Sequence, residues 1–206
     1  MRRAVPPRTK RDEGQGAAAG FRGKFPDPRR LRLTRGGVRG TYRPAAQLEK
    51  GWRMHTRWFE DFHVGDRFET RGITLTESQI VDFALTYDPQ HMHVDAHAAQ
   101  AGPFGGLIAS GFQTLALSFR LFYDLGLMVN SNIVGPGMDE VRWTAPVKPG
   151  DTIRSVVEVI EARDSRSKPD RGTVRLLFTV LNQRDETVMT YEAITIIRKG
   201  PKNSAG

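Results

Sequence analysis

The chain has 206 residues, enough for one domain of ordinary size or for one domain with a tail. It has no cysteine, which excludes disulfides, thiolate nucleophiles and cysteine-ligated metals and indicates a reducing, cytoplasmic location. The formal net charge is +8, but residues 1–53 hold 15 Lys and Arg against 4 Asp and Glu, whereas residues 54–206 hold 16 against 19. The basic character therefore belongs to the N-terminal part, and the charge of the remainder does not favour nucleic acid.

Residues 1–53 are rich in Arg, Gly and Pro and have no sustained apolar period, which predicts a disordered tail. Three interpretations stay open for it: a solvated tail, a basic arm for nucleic acid or an anionic surface, and a translated stretch upstream of a true start at Met54. The first and third are favoured, because stacking aromatics are few and no recognition motif is present. The tail lacks the apolar core of a secretory signal, and no segment of the chain is long and apolar enough to span a bilayer.

The predicted domain covers residues 54–200, with a short C-terminal tail at 201–206. Its first element is a strand over residues 67–75, where β-branched and aromatic residues interleave with charges. A helix then begins at Thr76, which forms a capping box with Gln79. That helix ends near Tyr87, because Pro89 disfavours helical geometry at the residue before it.

The next predicted element is a buried helix that follows a loop of small residues, PFGGLIASG. The sequence after this loop, GFQTLALSFRLFYDLGL, is apolar on nearly every face, as in a helix enclosed by its domain. Gly105, Gly106 and Gly111 let the backbone approach a ligand closely. Free amides at the start of the helix favour developing negative charge.

The last part of the chain is predicted to be β-structure. A Gly-Pro-Gly turn at Gly135–Gly137 precedes a strand over 141–146, and three long strands follow over 152–162, 173–183 and 187–198. Short connections between these strands indicate an antiparallel meander. One strand before the buried helix and several after it predict an α+β domain in which the sheet wraps the helix.

The stretch from Asp88 to Gly111 concentrates an acid, three histidines and a glycine-rich loop. If it were extended, His91, His93, Asp95 and His97 would point to one side and could suit zinc. However, HMHVDAH departs by one residue from the HxHxDH pattern of metallo-β-lactamase-like hydrolases, and no histidine follows His97. We therefore expect neither a metal nor another cofactor.

Acid–base chemistry by one Asp–His pair is the second interpretation of this stretch. Asp88 and His93 flank a turn that contains a proline, so both side chains can reach one water molecule. Spacing alone is a weak signal, because an aspartate at a helix end more often forms local hydrogen bonds and a single histidine is more often structural. Asp95 is expected to support the turn, His97 to lie at the surface or cap a helix, and His55 and His63 to be incidental.

The segment DPQHMHVD, from Asp88 to Asp95, resembles the signature of the MaoC-like dehydratases, a family that includes the (R)-specific enoyl-CoA hydratases of the hydratase 2 type. That signature runs Asp, any residue, Asn or Gln, usually Pro, an apolar residue, His, any residue, Asp. The resemblance continues through PFGGLIASG and VRWTAPVKPGD and covers roughly residues 58–198. It implies a single hotdog domain, in which an antiparallel sheet wraps a long central helix. It also implies a homodimer and a coenzyme A or acyl-carrier thioester as substrate.

Residue by residue, the resemblance implies that Asp88 and His93 form the catalytic pair. It further implies that the Gly111 amide polarises the thioester carbonyl, and that Ser110 and Gly106 contact the substrate. His91 stands where the family usually has proline, and Ser110 replaces a histidine found in the enoyl-CoA hydratases. The implied reaction is reversible hydration of a 2-enoyl thioester to an (R)-3-hydroxyacyl thioester. A hotdog thioesterase and a non-catalytic acyl-thioester binding module are the alternatives.

Overall fold

The computed structural model describes residues 56–201. The predictions for residues 1–53, for a start at Met54, for His55 and for most of the C-terminal tail lie outside this range. No helix within the described range is long and apolar enough to cross a membrane.

Four helices and six strands make up the domain, after one turn of 3-10 helix at Phe59–Asp61. The helices are α1 (Glu77–Tyr87), α2 (His91–Val94), α3 (Ala96–Gln100) and α4 (Gly111–Tyr123). The strands are β1 (Arg67–Glu69), β2 (Ile73–Thr74), β3 (Asn132–Trp143), β4 (Thr152–Asp164), β5 (Arg171–Leu181) and β6 (Thr187–Arg198).

The strands form one antiparallel sheet in the order β1-β4-β5-β6-β3, and β2 also pairs with β4. The predicted meander is confirmed as β4, β5 and β6. Buried and partly exposed side chains alternate along most of β4 and throughout β5, as expected for a sheet with one face on a core.

The core joins α4 to this sheet through aromatic contacts. Phe178 of β5 stacks on Tyr191 of β6 with ring centroids 4.4 Å apart, and its edge meets Phe122 of α4 at 5.3 Å. The Tyr191 hydroxyl lies 3.1 Å from Ser118 Oγ on the same helix, so this buried polar group has a partner. These contacts place α4 against the concave sheet, and the predicted α+β hotdog architecture is confirmed.

Helix α1 follows the prediction at both ends. Thr76 Oγ1 accepts a hydrogen bond from the Gln79 amide at 3.3 Å, and Gln79 Oε1 accepts one from the Thr76 amide at 2.9 Å. The helix ends at Tyr87, ahead of Pro89.

The predicted strand over 67–75 is interrupted between β1 and β2. Thr70 lies in the gap, and its hydroxyl accepts a hydrogen bond from the Ser155 amide at 2.9 Å. The Thr70 amide donates to the Ser155 carbonyl at 3.0 Å. A side chain therefore replaces one main-chain acceptor, and the ladder breaks although the segment stays against β4.

The predicted turn at Gly135–Gly137 is wrong, because these residues lie within β3. Strand β3 is at the end of the sheet order, and an edge strand tolerates proline, which cannot donate to a ladder. Register shifts between Asn132 and Val134 and between Val134 and Gly137 absorb the irregularity.

Helix α4 is not enclosed on every face, contrary to the prediction. Phe112 is 60% exposed and Tyr123 is 39% exposed, and Ala116 between them is also exposed. The apolar residues of α4 thus lie on two faces of the helix, one packed against the sheet and one exposed.

Candidate active site

Asp88 and His93 come together because the chain turns sharply between two helices. The Asp88 amide still donates to the Ala84 carbonyl and so closes α1, while the Asp88 carbonyl accepts from the Gln90 amide at 2.8 Å. Helix α2 then begins at His91 and directs His93 inward, where it is 5% exposed. The two side chains converge, with His93 Nε2 3.4 Å from Asp88 Oδ2.

The ring of His93 is held in one tautomer. Its Nδ1 lies 2.8 Å from the Ile108 carbonyl oxygen, which can only accept, so Nδ1 carries a proton. In the neutral ring Nε2 is then an unprotonated acceptor, and it is the atom that faces Asp88.

The Asp88 carboxylate is fixed through both oxygens. The Ser110 hydroxyl donates to Oδ2 at 2.6 Å, and the Gln90 side-chain amide donates to Oδ1 at 2.7 Å. The Ser110 hydrogen bond, which is the largest cause, and the Gln90 hydrogen bond lower the pKa of Asp88 against the opposing effect of burial. Asp88 is therefore ionised at neutral pH and accepts hydrogen bonds only.

With the ring neutral, two acceptors face each other across 3.4 Å, an oxygen of the ionised carboxylate and the Nε2 of the imidazole. A water molecule beside them can donate one hydrogen to each. Such a water is oriented by both groups and can lose a proton to one of them.

Ser110 ties this pair to the start of α4. It is fully buried and caps the helix, because its Oγ accepts from the Phe112 amide at 3.2 Å while its hydroxyl hydrogen goes to Asp88. The next residue, Gly111, is the first of a 13-residue helix. Its amide donates to no acceptor within residues 56–201 and is available to a ligand.

Trp143, at the end of β3, covers Gly111 from the other side. Its indole Nε1–H donates to the Gly111 carbonyl at 3.0 Å. A Cβ atom on residue 111 would lie 2.6 Å from Trp143 Cε2, so the contact requires glycine. No sequence pattern predicted a role for Trp143, although this residue lies in the segment VRWTAPVKPGD that carries part of the family resemblance.

A cavity of about 420 Å³ opens over these groups, within the usual range for small-molecule sites. Asp88, His93 and Gly111 all line it, so the structure brings three of the predicted site residues to one space. Its other walls are mainly apolar and include Phe104, Ile108, Phe112, Trp143, Pro146 and Val147.

Ser110 and Gly106 are not among the residues that line this cavity. The Ser110 hydroxyl donates to Asp88 and does not face the cavity. Gly106 lies in the loop before α4, with a positive φ of 144°. Their contact with substrate stays a prediction.

The remaining histidines do not gather. Residues 91–94 are helical rather than extended, so His91 is exposed while His93 is buried, and His97 is exposed on α3. Asp95 caps α3 by accepting from the Ala98 amide at 2.9 Å, the supporting role expected for it. Within the described part of the chain, no three His, Asp or Glu side chains are grouped to hold a metal ion.

The chain is similar to several known proteins. A sequence model described as MaoC like domain matches residues 61–181, more than half of the chain. The chain is 34% identical over 140 residues to protein YdeM of Bacillus subtilis, covering 68% of this chain and 98% of that one. It is 32% identical over 151 residues to 3-hydroxybutyryl-CoA dehydratase of Methylorubrum extorquens, covering 71% and 87%. A solved MaoC-like dehydratase from Rhodospirillum rubrum matches with a TM-score of 0.66 at 37% identity, covering 70% of this chain and 99% of the other.

Proposed function

The chain belongs to the MaoC-like dehydratase family, and we propose that it adds water reversibly to a 2-enoyl thioester to give an (R)-3-hydroxyacyl thioester. The observation that carries the proposal is the pair of acceptors, Asp88 Oδ2 and His93 Nε2, held 3.4 Å apart in an apolar cavity. The similarity to a 3-hydroxybutyryl-CoA dehydratase supports this reaction type. The substrate is a thioester of coenzyme A or of an acyl carrier.

In the proposed reaction the two acceptors have different tasks. The lowered pKa of Asp88 makes it a weak base, so the carboxylate holds and orients the water. The free Nε2 of His93 accepts the proton as the water oxygen bonds to the β-carbon of the enoyl group. The same nitrogen then delivers that proton to the α-carbon, so that H and OH add across the double bond and the enzyme returns to its initial state.

The Gly111 amide is placed to stabilise the thioester oxygen as negative charge develops on it. This amide lies at the start of α4, where the helix dipole adds to the hydrogen bond. One such donor typically contributes about 10²- to 10³-fold in rate. A substrate that fills this mainly apolar cavity displaces water from it, which strengthens both effects.

We also propose a homodimer joined along β3. This strand forms one edge of the sheet and exposes Val134 at 48% and Met138 at 40%. A long edge strand with apolar side chains is a template for pairing with another chain. Met138→Lys should convert a dimer to a monomer in sedimentation velocity, whereas Val64→Lys, at another exposed apolar residue, should not. An unchanged dimer in Met138→Lys would place the interface elsewhere.

The test of the reaction is loss of enoyl-thioester absorbance with crotonyl-CoA, followed by chiral analysis of the product. Asp88→Asn and His93→Ala should each lower kcat by about 10²- to 10⁴-fold, the usual contribution of acid–base groups, with thermal unfolding still cooperative. His97→Ala, on the exposed side of α3, is the matched control and should keep full activity. Near-native activity in either pair variant overturns the assignment, and release of free thiol identifies a thioesterase instead.

A further inference from the structure

We propose that Lys148 binds a phosphate group of the thioester's carrier at the mouth of the cavity, an inference that rests on the proposed function. Lys148 directly follows Val147, a wall residue, and its ammonium Nζ donates to the carbonyl oxygen of Phe104, another wall residue, at 2.8 Å. The side chain is exposed, and its bond to Phe104 places the charge in solvent beside the cavity wall.

The Lys148 ammonium has capacity for a further partner. An ammonium group has three donors, and the Phe104 carbonyl takes one. Lys148 forms no ion pair with any carboxylate within residues 56–201. By contrast, Arg154 is paired with Glu69 and Asp185, so its charge is already neutralised.

The nearest acid along the chain, Asp151, is engaged elsewhere. Its Oδ2 accepts from the Lys148 main-chain amide at 2.8 Å, and its Oδ1 accepts from the Gln183 side chain at 2.6 Å. The Val147 carbonyl accepts from the Ala109 amide at 2.7 Å, so the backbone on both sides of the lysine is anchored. The positive charge is thus held in place without being cancelled.

The chemistry of the substrate matches this position. Coenzyme A and the prosthetic group of acyl carriers share a pantetheine arm with a phosphate at the end remote from the sulfur. When the thioester lies between Asp88 and Gly111 inside the cavity, the arm must leave through the mouth. Lysine is a common phosphate ligand, acting as a point charge. Among residues 56–201, no Lys or Arg lines the cavity itself, so its interior suits the acyl and pantetheine portions rather than an anion.

The experiment compares three crotonyl thioesters, those of coenzyme A, of 4′-phosphopantetheine and of pantetheine without phosphate. In Lys148→Gln, KM for the two phosphorylated substrates should rise about twofold to fivefold, roughly the value of one exposed charge pair. Their kcat should not change, and the constants for crotonyl-pantetheine should equal those of the native chain. Lys148→Arg should retain low KM values, and Lys168→Gln, at a lysine in the β4–β5 loop, should behave as native.

The possible results separate the roles of Lys148. A higher KM for both phosphorylated substrates in Lys148→Gln supports contact with the shared 4′-phosphate. A higher KM for crotonyl-CoA alone supports contact with the phosphates on the adenosine side of coenzyme A. An equal rise in KM for all three substrates would mean that Lys148 only fixes the loop at Phe104. That result, or an unchanged KM for all three, would overturn the proposal.

Binding measurements keep this inference separate from the proposed reaction. If the native chain turns over none of the three, the hydratase proposal fails, and calorimetry with butyryl-CoA and butyryl-pantetheine still tests Lys148. The proposal then requires that Lys148→Gln raises Kd for butyryl-CoA but not for butyryl-pantetheine. The Kd for butyryl-CoA should also depend less on salt concentration in this variant. Equal Kd values for butyryl-CoA in the native and Lys148→Gln chains would overturn it.

Discussion

Replacing Gly111 by alanine tests the contact between α4 and Trp143. The added Cβ would lie 2.6 Å from Trp143 Cε2 and 2.7 Å from Nε1, whereas unstrained carbon contacts are about 3.5–4.0 Å. The indole must therefore withdraw by about 1 Å, and its hydrogen bond to the residue 111 carbonyl is lost. Because Trp143 is half exposed, it can move outward, and we expect only about 1 kcal/mol of lost stability.

The expected effect of Gly111→Ala on catalysis is larger than its effect on folding. A shift of about 1 Å at a group that positions substrate can cost about 10²-fold in rate. We therefore expect kcat for crotonyl-CoA to fall by about that factor, while the urea midpoint moves little. Gly172→Ala is the control, because a Cβ there would also meet an aromatic ring, that of Phe59, which does not line the cavity. It should leave kcat unchanged.

A double-mutant cycle identifies the cause of the loss. If the indole contact is responsible, Gly111→Ala should cost much less activity in a Trp143→Ala background than in the native chain. The reasoning is refuted if the cost is equal in both backgrounds, or if Gly111→Ala alone keeps native kcat.

Three further substitutions test the hydrogen bonds of the site and core. Ser110→Ala removes the largest cause that lowers the pKa of Asp88, so a carboxyl NMR titration should show a higher pKa. Ionised Asp88 stabilises the fold above its ordinary pKa of 3.8, and this stabilisation is lost as the pH falls through the lower pKa of the folded state. Ser110→Ala should therefore reduce the loss of unfolding free energy in acid. Thr76→Ala should lower the free energy of unfolding by about 1 kcal/mol in urea, since it removes the cap of α1. Tyr191→Phe should also cost about 1 kcal/mol, because Ser118 Oγ loses one of its two partners and keeps only the Leu115 carbonyl. An unchanged urea midpoint would show that the Tyr191 bond contributes nothing.

Local signals were enough to predict much of this fold. The capping box at Thr76 and the proline at 89 defined α1, and β-branched runs located β4, β5 and β6. The irregularities could not be predicted, because they depend on distant partners. The gap at Thr70 exists because its hydroxyl meets Ser155, and Gly135–Gly137 stays in a strand because β3 is an edge.

The candidate site was predictable only in part for the same reason. Asp88 and His93 are close in sequence, and the turn between them brings them together. The link from Ser110 to Asp88 spans 22 positions, and that from Trp143 to Gly111 spans 32. Both depend on how α4 packs, so composition and spacing do not reveal them. The family resemblance supplied the role of Gly111, and the structure added the indole that covers it.

The alternation of buried side chains along β4 and β5 limits how this chain can change in length. One inserted or deleted residue inside either strand would turn every following side chain to the opposite face. The β4–β5 connection at residues 165–170 carries no such penalty. Insertions and deletions among relatives should therefore accumulate in that connection, while the lengths of β4 and β5 stay constant.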